Sequence, residues 1–88
     1  MDTTPAISTL TSTLIVVRAY VRDLNPATLT EEHIALLHQI ASFACANAQE
    51  ARILEDVALA QADEAAALAA DRLMAESDAL DAQIAHLV

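Results

Sequence analysis

The chain has 88 residues with no glycine, two prolines, one cysteine and no tryptophan, and thirteen carboxylates against four arginines and no lysine give a formal net charge of −9. Without glycine, a phosphate cradle of the GxxxxGK or GxGxxG kind is excluded, and at this length there is at most one domain. Arg18, Arg22, Arg52 and Arg72 are scattered among carboxylates, so a basic surface for nucleic acid or anionic lipid is not expected, and a lone Cys45 excludes an internal disulfide.

Hydrophobic residues make up 56% of the chain, rich in Ala and Leu. Strong helix formers without glycine predict an all-α protein, with residues 1–88 as a single helical domain. An alanine methyl buries little area, so a lone chain of this size is thinly stabilised. The expected architecture is a small helical bundle or helical hairpin with a long second helical segment, completed by self-association, a homodimer being favoured.

Thr4 before Pro5 predicts an N-cap followed by proline at the first helical position, opening a helix over about 5–24. Residues Thr3 to Val17 carry no charge and end in Leu14-Ile15-Val16-Val17. Asp2 before this stretch and the Thr and Ser within it argue against a signal or membrane segment, which needs about 18 continuous apolar residues to span. A cytoplasmic protein without membrane attachment is expected. Ile7, Leu10, Leu14, Val17, Val21 and Leu24 alternate in steps of three and four, which sets them on one stripe, a coiled-coil-like seam suited to self-association.

Asn25-Pro26 predicts a turn over 25–28. Thr28 with Glu31 reads as a capping box, and Thr30 with Glu31 and Glu32 is a competing start one step on. Either opens a helical segment over about 29–87 that contains no further Gly or Pro. Its stripe runs Leu37, Ile40, Ala44, Ala48, Ala51, Ala58, Ala62, Ala66, Ala69, Leu73, Leu80, Ile84 and Leu87, and the last part, Leu73, Leu80, Ile84 and Leu87, joins the seam as a second self-association face. Leu36, Phe43, Leu54, Val57 and Leu68 form another stripe around the helix, so the segment needs neighbours on two sides. Unbroken, it would be about 90 Å long against about 30 Å for the first helix. A break is therefore expected near residue 47, 62 or 77, at Asn47, Ala62-Asp63 or Ser77-Asp78.

No catalytic, cofactor-binding or metal site is expected. His33 and His38 are five residues apart, about 140° around a helix, and Glu31, His38 and Cys45 share a column with about 10 Å between members, too far for one ion. Cys45, in an Ala-rich helical stretch, reads as a packed small hydrophobe. Adjacent carboxylates diverge on a helix rather than converge on a substrate.

Two interaction surfaces remain. Glu64, Asp71 and Asp78 fall in a column, with Asp56, Asp63 and Asp81 nearby, and could occupy a basic groove as a nucleic-acid mimic. Arg18 and Arg22, one turn apart beside Tyr20, are residue types common at interface hot spots. The expected function is a non-catalytic protein–protein interaction module, regulatory, adaptor or inhibitory, acting on another protein through apolar helix faces. The alternative is an acidic, phage-type inhibitor of a nucleic-acid-binding complex. No motif ties the chain to a family.

Overall fold

A computed structural model describes residues 2–88. It is all-α: helix α1 spans Thr4–Arg22, a short 3-10 turn spans Pro26–Thr28, and helices α2 (Glu31–Ala60) and α3 (Glu64–Leu87) follow. α2 and α3 form an antiparallel hairpin, and α1 lies along both. Thr4 to Ser12 sit beside Asp63 to Ala69, Arg18 is beside Glu76, and Arg22 is near Gln83. α1 thus runs parallel to α3, and the three helices make an up-down-up bundle measuring 47 × 16 × 15 Å.

The N-cap position of α1 is Thr3, not Thr4 as the sequence suggested, and its side chain makes no cap bond; the Asp2 carboxylate just before it accepts from the Thr4 N–H at 3.0 Å. A carboxylate is the better acceptor there because it also meets the positive end of the helix dipole. In the Thr-rich first half of α1 hydroxyls donate back one turn: Thr9 to the Pro5 carbonyl at 3.0 Å, Thr11 to Ile7 at 2.7 Å and Thr13 to Thr9 at 3.0 Å. These bonds satisfy the hydroxyls within the helix.

α2 takes the later of the two starts. Thr30 accepts from the His33 N–H at 3.2 Å, and the Thr30 N–H donates to His33 Nδ1 at 3.1 Å. The capping box is therefore built with His33 in the place a glutamate usually fills, and the Thr28–Glu31 alternative is displaced because Thr28 belongs to the preceding turn, capped by the Asn25 side chain.

Of the three candidate breaks, only Ala62-Asp63 is used. Ala62 stands at φ 57°, in the left-handed region that glycine favours. The Asp63 N–H donates to the Ala58 carbonyl at 2.9 Å and the Ala62 N–H to Leu59 at 3.0 Å, the paired bonds of a Schellman ending. Asp63 then caps the next helix, its side chain accepting from the Ala66 N–H at 3.1 Å. One residue closes α2 and opens α3, so the chain reverses within Gln61–Asp63.

Asn47 and Ser77 do not break the helix. They face each other in the interior, Asn47 Nδ2 donating to Ser77 Oγ at 2.9 Å while Ser77 Oγ donates to the Leu73 carbonyl at 2.8 Å. This register brings Ala51 level with Leu73, Leu54 level with Ala70 and Ala44 level with Leu80, a large residue opposite a small one at each step. All six are buried. Such alternation lets two helices approach closely and fill the space between them.

The seam read as a self-association face is spent inside the chain. Ile7, Leu14 and Val21 are buried and Leu10, Val17 and Leu24 half-buried against the hairpin; Leu73, Leu80 and Ile84 are buried and Leu87 half-buried in the same core. The reason is geometric: once the second segment folds back at Ala62, its two arms form the groove that the α1 stripe fills. No helix among the described residues is long and apolar enough to cross a membrane.

Candidate interaction surface

Beyond the core, the large apolar side chains that stay exposed are unevenly placed. On α2, on α3 and just after it they are spread out: Ile34, Leu36, Ile53, Leu59, Leu68 and Val88. On α1, Ile15 (61% exposed), Val16 (70%) and Tyr20 lie within six residues of one another. Isolated exposed apolar residues are ordinary, whereas neighbouring ones such as Ile15 and Val16 are less so; Tyr20, about 140° around the helix from Ile15, adjoins Val16 alone. From Thr4 to Val17 α1 has no charged residue, and its only charges, Arg18 and Arg22, line the same depression as Ile15.

Between α1 and α3 two surface depressions lie end to end. One, of about 390 Å³, is lined by Ser8, Thr11 and Ser12 of α1 and by Asp63, Ala66 and Ala69. The other, of about 440 Å³, is lined by Ile15, Arg18, Ala19 and Arg22 of α1 and by Gln83. Together they form a shallow groove with a floor of small side chains, Asp63 at one end and two guanidinium groups at the other. Arg18 Nη1 lies 3.9 Å from Glu76 Oε2, and Arg22 Nε 3.5 Å from Asp23 Oδ1, both partly or fully exposed. These are the ion-pair partners open to exposed arginines, and such pairs hold the side chains only weakly. Tyr20 is not part of this cluster; it sits about 160° around the helix from Arg22, on the opposite flank of α1.

Most carboxylates are on the other two helices. Ten of the thirteen are on α2 and α3. A third depression, between those helices, is lined by Cys45, Gln49, Arg52 and Ile53 on one side and by Met74, Asp78 and Asp81 on the other. Near it Glu55 faces Asp71. Glu55 is held above its ordinary carboxylate value by loss of solvent between the helices and then by the neighbouring Asp71 charge and hydrogen bond. Of the acidic residues singled out in the sequence, Asp56, Glu64, Asp71 and Asp78 are exposed, while Asp63 is half-buried and engaged as the α3 cap. Asp2 is held below its ordinary value by the hydrogen bonds it accepts from Thr4.

Cys45 differs from its expected packed position and is exposed, with Gln49 Nε2 at 3.8 Å from its sulfur. No three His, Cys, Asp or Glu side chains converge as a metal-ligand set among the described residues. His33 is engaged in the α2 cap.

Sequence reasoning named Arg18 and Arg22 but passed over Ile15 and Val16. The available signal was their position off the Ile7–Leu24 stripe within an uncharged run. Apolar residues beside a completed stripe have no place in the same core.

Comparison with protein-family models, with curated proteins and with solved structures finds no match.

Proposed function

We propose that this chain is a non-catalytic helical module that works by binding another protein, in a regulatory, adaptor or inhibitory role, through the outer face of α1. The observation that carries this reading is the coincidence, on one helix, of exposed Ile15 and Val16, an uncharged surface and locally satisfied threonine hydroxyls. Covering such a face removes apolar area from water, the Thr9, Thr11 and Thr13 hydroxyls are already bonded within their own helix, and the Arg18 and Arg22 guanidiniums at its edge keep Glu76 and Asp23 as partners. A second reading rests on a separate observation, the carboxylates Asp78 and Asp81 lining the depression between α2 and α3, with Glu55 and Asp71 facing each other across the same two helices. That side, with Asp71, Asp78 and Asp81 along it, suits a basic surface, including one that otherwise holds nucleic acid.

Affinity capture from the native cell separates the two. Val16→Asp is expected to abolish recovery of the partner while leaving the helical spectrum intact, and Asp78→Lys is expected to leave recovery unchanged. The opposite pattern favours the acidic reading, and capture indifferent to both substitutions contradicts both.

A further inference from the structure

We propose that the α1 face receives a second copy of this chain, with the two α1 helices packed antiparallel about a two-fold axis between Ser12 and Ile15. The inference rests on the reading of α1 as the binding face and names its occupant. Charge is patterned along the α1–α3 groove. Arg18 and Arg22, each loosely paired with a carboxylate of its own chain, Glu76 and Asp23, mark one end, whereas Asp63, half-buried as the α3 cap, together with Asp2 at the start of α1, marks the other. Rotation by a half-turn lays each arginine end against the acidic end of the other copy. A two-fold interface uses the same patch on both subunits, so a patch of opposite ends is self-complementary only in the antiparallel sense. The parallel arrangement would put arginine against arginine.

Side-chain size supports the same register. Antiparallel pairing about that axis sets Ser8 opposite Ala19 and Ser12 opposite Ile15, so the projecting isoleucine of each copy meets a small residue of the other. Small residues at four-residue spacing let helix axes approach to about 8 Å, and opposed helix dipoles favour the antiparallel sense. The hydroxyls of Thr9, Thr11 and Thr13 are already bonded to their own helix and need no partner across the interface. The resulting seam differs from the one expected from sequence, since Ile7, Leu14 and Val21 remain in the core.

Sedimentation equilibrium of the full chain tests the assembly, and cross-linking tests its sense. The wild-type chain and Ile53→Asp, altered on an exposed residue far from the groove, are expected to be dimers. Ile15→Asp and Ser12→Glu, both on exposed positions, are expected to shift to monomer with unchanged helical content. In a Cys45→Ala background, a mixture of Ser8→Cys and Ala19→Cys chains is expected to form a mixed disulfide under mild oxidation, while neither alone does. A wild-type chain that stays monomeric across the concentration range, a dimer that persists in both groove variants, or a Ser8-to-Ser8 cross-link overturns the proposal. If the wild type is monomeric and Val16→Asp still abolishes capture of a different protein, the second copy is wrong and the binding face stands.

Discussion

Asn47 and Ser77, thirty residues apart in sequence, are joined by a 2.9 Å hydrogen bond in the interior between α2 and α3. Asn47 is 3% exposed and Ser77 fully buried, and Asn47 Oδ1 has no partner. A buried polar contact of this kind adds little net stability but penalises every register in which its members would face Ala or Leu. Ser77→Ala leaves the Asn47 amide without its one acceptor and is expected to destabilise the chain by about 1–3 kcal/mol. Combining it with Asn47→Ala is expected to lose less than the two single effects summed. Urea titration of the four chains in a double-mutant cycle measures the coupling; strict additivity would show that the bond carries no weight.

Ala62 holds a left-handed conformation that a β-carbon opposes. Ala62→Gly removes that opposition and is expected to stabilise the fold by about 1 kcal/mol. For a domain of this size that corresponds to a rise in Tm of roughly 4–8 °C. A drop in Tm would mean that the entropy glycine adds to the unfolded chain outweighs the relief of strain.

Glu55 and Asp2 pull acid stability in opposite directions. Glu55 is raised above its ordinary 4.5 in the folded chain, so the folded state binds the proton more tightly, and this contribution is lost as pH rises through the raised value. Asp2 is lowered below its ordinary 3.8, so its contribution is present above that pH and is lost as pH falls through the lowered value. Glu55→Gln is expected to flatten the fall in stability above pH 4.5, and Asp2→Asn the fall below pH 3.8. Denaturation midpoints measured across this range for the two variants and the wild type check both signs.

The α2 start makes a further separable prediction. Thr30→Ala removes the acceptor for the His33 N–H and is expected to cost about 1 kcal/mol. His33→Gln keeps an acceptor for the Thr30 N–H and is expected to be near neutral, whereas His33→Ala is not. Thermal denaturation of the three variants distinguishes a working capping box from an incidental one.

Much of the core was legible in advance because it follows helical periodicity. Leu37, Ile40, Ala44, Ala51, Ala58, Leu73, Leu80 and Ile84 lie on the expected stripe and are buried. The position of the single break was narrowed but not decided, since three candidates offered polar residues and none offered glycine. What separates them is tertiary: Asn47 donates to Ser77 when α2 and α3 are antiparallel, a relationship that needs the break at Ala62 to exist first. The first-helix stripe was legible as a packing face, but its partner was not, because the groove it fills forms only after that reversal. Ile15 and Val16 were obscured for the same reason, as their exposure becomes visible only once Ile7, Leu14 and Val21 are assigned to the core.

A dilution series followed by amide chemical shifts tests most directly whether α1 is the face through which this chain associates. Concentration-dependent shifts are expected at Ser8, Ser12, Ile15 and Ala19, with Cys45, Gln49 and Asp78 unmoved. Shifts confined to the α2–α3 side, or none anywhere over the concentration range, would contradict it.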